Sequence, residues 1–293
     1  MSAMDNTNAA VVISQVWDTQ VLQARYASAV IMPRVLNKSQ LVADYGSIVH
    51  VPIKPRWTGQ TVASDGTFNT ESQTLTEAQI AVDTWKVVVA SILDRASKQS
   101  IVTLETEIPS QFGERLAEFY DTDLAALFTS LTGYASGITS IGTANDPVQF
   151  TEPAALNSVL ALRKNNIALE MMSWILPPEA FYLGWLTKER MTNANTTGEG
   201  KSVLTTNYRQ KILNVPAYES TLLSNTGDQK ISFAGALIHK EAIGIAMQIN
   251  NRYEKVRQTG AGVLGTMCTC QNLYGVKAIR VDHGIPIYVR KLT

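Results

Sequence analysis

The residues of this chain that could do chemistry are few, and their spacing decides what each can do. GALIHKEAIGIAMQI, residues 235–249, sets His239, Lys240 and Glu241 side by side. Ile231, Phe233, Gly235 and Leu237 alternate before the triplet, and Ile243, Ile245, Met247 and Ile249 alternate after it. A metal site needs further ligands at fixed spacing, but His50 and His283 lie far off and no HExxH or CxxC pattern is present. The triplet therefore reads as the turn of a hairpin. Asp282 and His283 are adjacent and could share a proton, yet no GxSxG elbow supplies a nucleophile. In DHGIP the glycine and proline mark a bend between strands instead. Glu114, Glu118 and Asp121 fall on one helical face and could act as paired carboxylates; solvated or intersubunit charges are the commoner use of such a face. Cys268 and Cys270, in MCTC, are too close for an easy disulfide and lack the second pair of a zinc site, which leaves two reduced thiols on one strand face. No GxxxxGK is present, and the GxGxxG spacing of GAGVLG, residues 260–265, is followed by a strand pattern and not by a helix, so no phosphate cradle is expected, and no cofactor or metal is assigned.

Composition narrows the classes further. The chain has 293 residues, 45% of them hydrophobic, enough for a packed interior. Lys plus Arg and Asp plus Glu total 25 each, so no global basic field draws it to nucleic acid or to an anionic membrane. Arg56 beside Trp57 could grip a phosphate and stack a base, but in a neutral chain the pair reads better as an interface anchor. MSAMDNTNAA lacks the basic and apolar regions of a signal peptide, and no apolar run is long enough to span a bilayer, so a protein made in the cytoplasm is expected.

The elements that must position these residues appear as changes of pattern. Val12, Val16 and Trp17 recur at helical spacing in an arm from Ala9 to about Ala29, ended by Pro33. In GSIVHVPIKPRW, Val49, Val51 and Ile53 alternate with polar residues and proline, the pattern of an edge strand whose expected partner is IAVDTWKVVVASIL, residues 80–93. Thr58 to Ala78 lies between them, too long and too polar for an ordinary loop, and reads as a projecting hairpin held by another copy of the chain. IPSQFGERLAEFYDTDLAALFTSL carries Phe112, Leu116, Phe119, Tyr120, Leu127, Phe128 and Leu131 as one stripe, with Glu114, Arg115, Glu118, Asp121 and Asp123 around it. This predicts a spine helix of about 22 residues, roughly 33 Å long. A second helix over EPAALNSVLALRKNN is expected to turn Leu156, Val159 and Leu160 inward. MMSWILPPEAFYLGWLTK follows as a buried strand, a double-proline break and a short helix, and TNANTTGEGK as a surface loop. The C-terminal third reads as sheet. Strands and helices in runs predict an α+β fold.

In that order, the arm, projecting hairpin, spine helix, second lobe and returning sheet resemble the major capsid proteins of tailed bacteriophages. Their fold, named for a Hong Kong coliphage, recurs in bacterial encapsulins and herpesvirus capsid floors. The segments that carry the likeness are VHVPI, LTEAQIAVDTWKVVVASI, ERLAEFYDTDLAALF, VPAYES, ALIHKEAIGIAMQ and LYGVKAIRVDHGI, spread over about residues 10 to 290.

The resemblance implies an N-terminal arm at 1–44, an extended loop hairpin at 45–90, a peripheral domain with the spine helix at 91–147, an axial domain at 148–258 and returning peripheral strands at 259–293. It implies a structural protein, not an enzyme, that assembles as hexamers and pentamers into an icosahedral head enclosing double-stranded DNA. The extended loop then lies across a neighbour, and Lys54, Arg56, Trp57, Phe68, Glu71, Glu114, Arg115 and Glu118 are candidate intersubunit contacts. The implied partners are further copies of the chain, a separate scaffolding protein suggested by an arm that starts almost at Met1, a portal, decoration proteins and unspecific contact with packaged DNA, with no membrane. The implied location is the virion, assembled in the host cytoplasm. Some members form a Lys to Asn crosslink near a glutamate; Lys54 lies near the loop root, but no local pattern identifies its partner. The alternatives are an encapsulin-like shell around cargo, a binding module that stays a small oligomer, and an enzyme using His239 with Glu241 or Asp282 with His283.

Overall fold

In the computed structural model the described residues are 29–68, 72, 74–99, 111–133, 146–185, 211–223, 225–226, 232–258 and 264–290. The expected arm helix before residue 29, the loop at 192–201 and Glu71 lie outside them. Among the described residues the first strand is β1 (Leu36–Asn37), followed by a two-stranded ribbon of β2 (Ile48–Ile53) and β3 (Thr76–Ala81), with Ile48 opposite Ala81 and Ile53 opposite Thr76. The period-2 pattern works as expected at the ribbon's root, where Val49 and Ile80 are buried against Val42, Val82, Ala246 and Ile279.

The strand partner expected at 80–93 is divided in two. Residues 76–81 pair with β2, whereas β4 (Thr84–Leu93) joins a different sheet. Gly275 explains how the chain makes this change. A Cβ there would stand 1.8 Å from the Ala81 carbonyl oxygen, so only glycine lets the backbone cross at this point. Nothing local in IAVDTW reports a residue so distant in sequence.

After α1 (Asp94–Gln99) comes the spine, α2 (Phe112–Ala126), continued by a 3-10 turn over Leu127–Ser130. The expected 22 residues become 15 of α-helix and 4 of 3-10 helix. Leu116, Leu124 and Phe128 are fully buried, each worth about 1.5–3 kcal/mol of apolar burial. Then follow α3 (Glu152–Lys164), β5 (Met172–Leu176), a single π-helical turn at Ala180–Trp185, β6 (Lys211–Ile212), β7 (Val215–Glu219), β8 (Asn225–Thr226), β9 (Ser232–His239), β10 (Ile243–Gln258), β11 (Gly265–Ala278) and β12 (Gly284–Arg290).

Two main sheets result. One has the order β1-β10-β11-β4 and carries the spine helix on one face; the other has the order β12-β9-β5-β7-β6, with β8 beside β9. Phe112 and Leu116 pack on Ile92, Cys268 and Cys270, so both thiols face the spine and are buried, as their one-face reading expects. Tyr120 meets Tyr274 edge-on at 4.5 Å between ring centroids, and the Tyr274 hydroxyl donates to Asp123 at 2.5 Å. α3 covers the other sheet through Ala154, Ala155, Ala161 and Leu162, which join Trp174, Leu237, Ile285 and Ile287.

The structure corrects two further expectations. Leu156 and Leu160 of α3 are exposed, because the small residues Ala154, Ala155, Ser158 and Ala161 take the inner face and let the helix lie close to the sheet. The His239 turn is not that of a hairpin: β9 pairs with β12 and β5, whereas β10 pairs with β1 and β11, so the turn carries the chain from one sheet to the other. β9 and β10 are buried on both faces around this turn, and a strand covered on both sides looks alike whether or not its sequence neighbour is its partner. Residues 243–258 lie in the spine's sheet and 284–290 in the other.

Candidate functional site

The ribbon is the first surface with the features of a site. Beyond Ile53 and Thr76 its two arms make no ladder among the described residues, and every residue from 56 to 68 is exposed. The tip is a small local turn. The amide and hydroxyl of Thr67 donate to Asp65 Oδ1 at 3.0 and 2.7 Å, which holds the Asp65 carboxyl below its ordinary range, and Gly66 takes a positive φ of +81°. At the root, Glu77 accepts from Gln79 at 2.7 Å and lies 3.0 Å from His50 Nδ1; Gln79 first and His50 second hold its carboxyl down. Trp57 and Phe68 are 65% and 69% exposed, and Val62 and Leu75 are also open to solvent. A polar ribbon carrying four large apolar side chains has no burial of its own to set against the entropy of ordering it.

The predicted contact residues divide into two groups. Lys54, Arg56, Trp57 and Phe68 all lie on the exposed ribbon. Lys54 also lines a shallow pocket with Ile53, Ile279, Arg280, Val281, Asp282 and His283. Glu114 and Arg115 are exposed on the spine, but Arg115 donates to Glu118 at 2.5 Å and stacks 4.5 Å from the Phe119 centroid. Glu118 is therefore buried within its own chain, not solvated.

Asp121 departs furthest from expectation. Its relative exposure is 0%, and it accepts the backbone amides of Val30 at 2.5 Å, Ile31 at 2.9 Å and Met32 at 3.0 Å. It ties the residues that lead in from the arm to the spine helix. Burial pushes its carboxyl up, with the three N–H donors and Arg34 pulling the other way. Arg34 in turn donates to the Val30 carbonyl and lies over the Tyr218 ring, 3.3 Å from its centroid, which links the same segment to β7.

The histidines sit where the chain changes sheets. His239 ends β9, and its Nδ1 accepts the Glu241 amide at 3.3 Å. His283 follows β11, with Nδ1 3.0 Å from Asp282 and Nε2 3.2 Å from Arg280. The two rings stand 5.7 Å apart, and Arg280 lies 3.4 Å from Glu241. The amides of Ile279 and Arg280 both donate to the Ala242 carbonyl, at 2.8 and 3.1 Å. Burial holds the His239 pKa below its ordinary value, with Glu241 opposing and with His283 and Arg280 adding to the drop. Most of these links are spent on fastening one crossover to the other. Among the described residues, no three His, Cys, Asp or Glu side chains form a group that could hold a metal ion.

One surface had no part in the sequence reading. Trp85, Val87, Val89 and Leu93 form an exposed apolar row along β4, opposite Val88, Ala90 and Ile92, which face the spine. The Trp85 indole N–H donates to Gln271 at 3.1 Å across the sheet. The available signal was the unbroken run VVVASIL, since a strand apolar on both faces is normally covered on both. β4 is also the last strand of its sheet, so its outer backbone edge has no strand beside it among the described residues. Among those residues no helix is long and apolar enough to cross a membrane.

No protein-family model matches the chain, and no curated protein matches it by sequence. Solved structures do match over nearly its whole length. A structure of Mycobacterium phage Che8 is similar with a TM-score of 0.75 at 18% identity, covering 94% of this chain and 96% of the other. The capsid structure of the cyanophage P-SCSP1u gives a TM-score of 0.73 at 15% identity, covering 95% and 93%. The capsid of a native GTA particle gives 0.67 at 11% identity, covering 99% and 100%. The fold is thus that of tailed-phage capsid proteins, an α+β arrangement of several sheets.

Proposed function

We propose that this chain is a structural shell subunit, a major capsid protein whose copies form hexamers and pentamers and close into an icosahedral head around double-stranded DNA. The observation that carries this reading is the ribbon: Trp57, Val62 and Phe68 stand exposed on an arm that is open to solvent from residue 56 to 68, and Leu75 is exposed where it returns. Large apolar groups held out in this way mark an association surface. The apolar row on β4 supplies a surface of matching character, and the ribbon of one copy is placed against the Trp85, Val87, Val89 and Leu93 row of the next. Such a contact joins unlike patches, so it propagates from copy to copy and closes when the rotation between copies allows. Interfaces of about 2,000 Å² or more then make a tough particle from individually weak contacts.

In this reading the ribbon is the extended loop within 45–90, the spine and its four-stranded sheet form the peripheral domain, and the six-stranded sheet with α3 forms the axial domain. In it 243–258 belongs with the peripheral domain, 284–290 with the axial domain, and 1–44 is the arm. Lys54, Arg56, Trp57, Phe68, Glu71, Glu114 and Arg115 remain contact candidates, while Glu118 acts through Arg115. Separate scaffolding, a portal and decoration proteins are the expected assembly partners. Contact with DNA is unspecific and weak because a chain with zero net charge has few cations to spare. Particles form in the host cytoplasm, and the finished protein resides in the virion.

Negative-stain microscopy of the expressed chain, alone and with its genomic neighbours, tests the proposal. Round shells of uniform diameter are expected. Monomers under every condition overturn it, and shells that enclose a cargo enzyme in place of DNA redirect it to a nanocompartment.

A further inference from the structure

β6 and β7 form a hairpin with Lys211 opposite Pro216 and Ile212 opposite Val215, joined by only two residues, Leu213 and Asn214. Both have positive φ, +51° and +64°, the pairing of a type I′ turn. Asn214 suits such a position, because its short amide can bond locally. Leu213 does not: its branched side chain gains nothing from left-handed backbone, and it is 37% exposed at the hairpin tip. A strained residue whose side chain projects into solvent points to a use outside its own chain.

The same sheet carries a complementary feature at its other end. α3 packs over β12, and its outer face shows Leu156 and Leu160, one turn apart and 47% and 48% exposed. β6 and β12 are the end members of a five-strand path, so the hairpin and the strand under α3 stand at opposite ends of the sheet, their backbones roughly 19 Å apart at about 4.8 Å per strand. A knob at one end and a receptor at the other is the arrangement of a head-to-tail contact. Charge sets the direction. Lys211, beside the knob, is opposite in sign to Glu152, one turn before Leu156, and alike in sign to Arg163 and Lys164 beyond Leu160.

From these features we infer that, within the shell proposed above and resting on that reading, Leu213 of one copy seats between Leu156 and Leu160 of the next around each ring, with Lys211 toward Glu152. The side chain of Leu213 is kept for the neighbour at the expense of the isolated chain. Two variants test this. Leu213→Asn relieves the turn, so the unassembled chain should melt at or above the parent temperature while particle yield falls tenfold or more. In a chain carrying Leu213→Cys and Leu156→Cys, oxidation of assembled particles should give a ladder of linked chains up to five or six on a non-reducing gel. Intact shells that yield no ladder, or a Leu213→Asn chain that melts lower and assembles like the parent, overturn the contact and leave the shell reading standing. A parent that never forms particles overturns both.

Discussion

The His239 ring stands 5.7 Å from that of His283, near edge-on, at the place where two connections pass side by side between the sheets. The pair resembles the start of a reactive centre only when its sequence neighbours are ignored. Glu241, Asp282 and Arg280 bind the turns that carry these histidines, so their charges serve the junction between the two lobes.

Acid should therefore loosen that junction. Burial depresses the folded His239 pKa below its ordinary value of 6.5, so as pH falls through 6.5 the unfolded chain takes up a proton that the folded chain refuses. Stability is full above pH 6.5 and declines below it until the folded pKa is reached, by at most about 1.4 kcal/mol per pH unit for one proton. Melting temperature followed from pH 7.5 to 5.5 should drop in the parent and drop less in His239→Asn, which keeps an acceptor for the Glu241 amide. Equal slopes refute the assignment.

Removing the Asp121 carboxylate should free the segment behind the arm. Asp121→Ala strands three amides, at Val30, Ile31 and Met32, and should cost about 3 kcal/mol or more in urea unfolding. Hydrogen exchange at those three amides should rise ahead of exchange in the core of the spine helix; uniform protection argues against the tie.

Gly275→Ala should be among the most damaging single changes. Its Cβ would meet the Ala81 carbonyl at 1.8 Å, and because backbone cannot rotate away as a side chain can, a loss of about 3 kcal/mol or more is expected. Gly59→Ala, on the ribbon with nothing within 4 Å of the new methyl, serves as the control and should leave melting unchanged.

Trp57→Ala and Phe68→Ala should separate folding from association. Both side chains are exposed, so unfolding of the single chain should move by no more than about 0.5 kcal/mol. Sedimentation should then show assembly slowed or abolished. A variant pair that unfolds early, or that assembles at the parent rate, removes the ribbon from the interface.

Much of this molecule is legible in its residues taken in order, because period and punctuation are local properties. Phe112, Leu116, Tyr120 and Phe128 declare the spine helix at 3.6-residue spacing; Val49, Val51 and Ile53 declare a ribbon strand; and the polar run after Trp57 declares an arm with nothing to hold it down. Tertiary structure alone decided which strands pair and which charges are covered. Ile231 to Ile249 reads as a hairpin until burial on both faces sends β9 and β10 to different sheets. Asp121 reads as a solvated acid until three amides from residues 30–32, brought to it by the fold, make its burial tolerable. Leu156 reads as core until the alanines beside it take that place. For Asp121 and for the strands around His239 the deciding partner lies far along the chain, and for Leu156 periodicity records only that a side chain is apolar, not which surface will cover it.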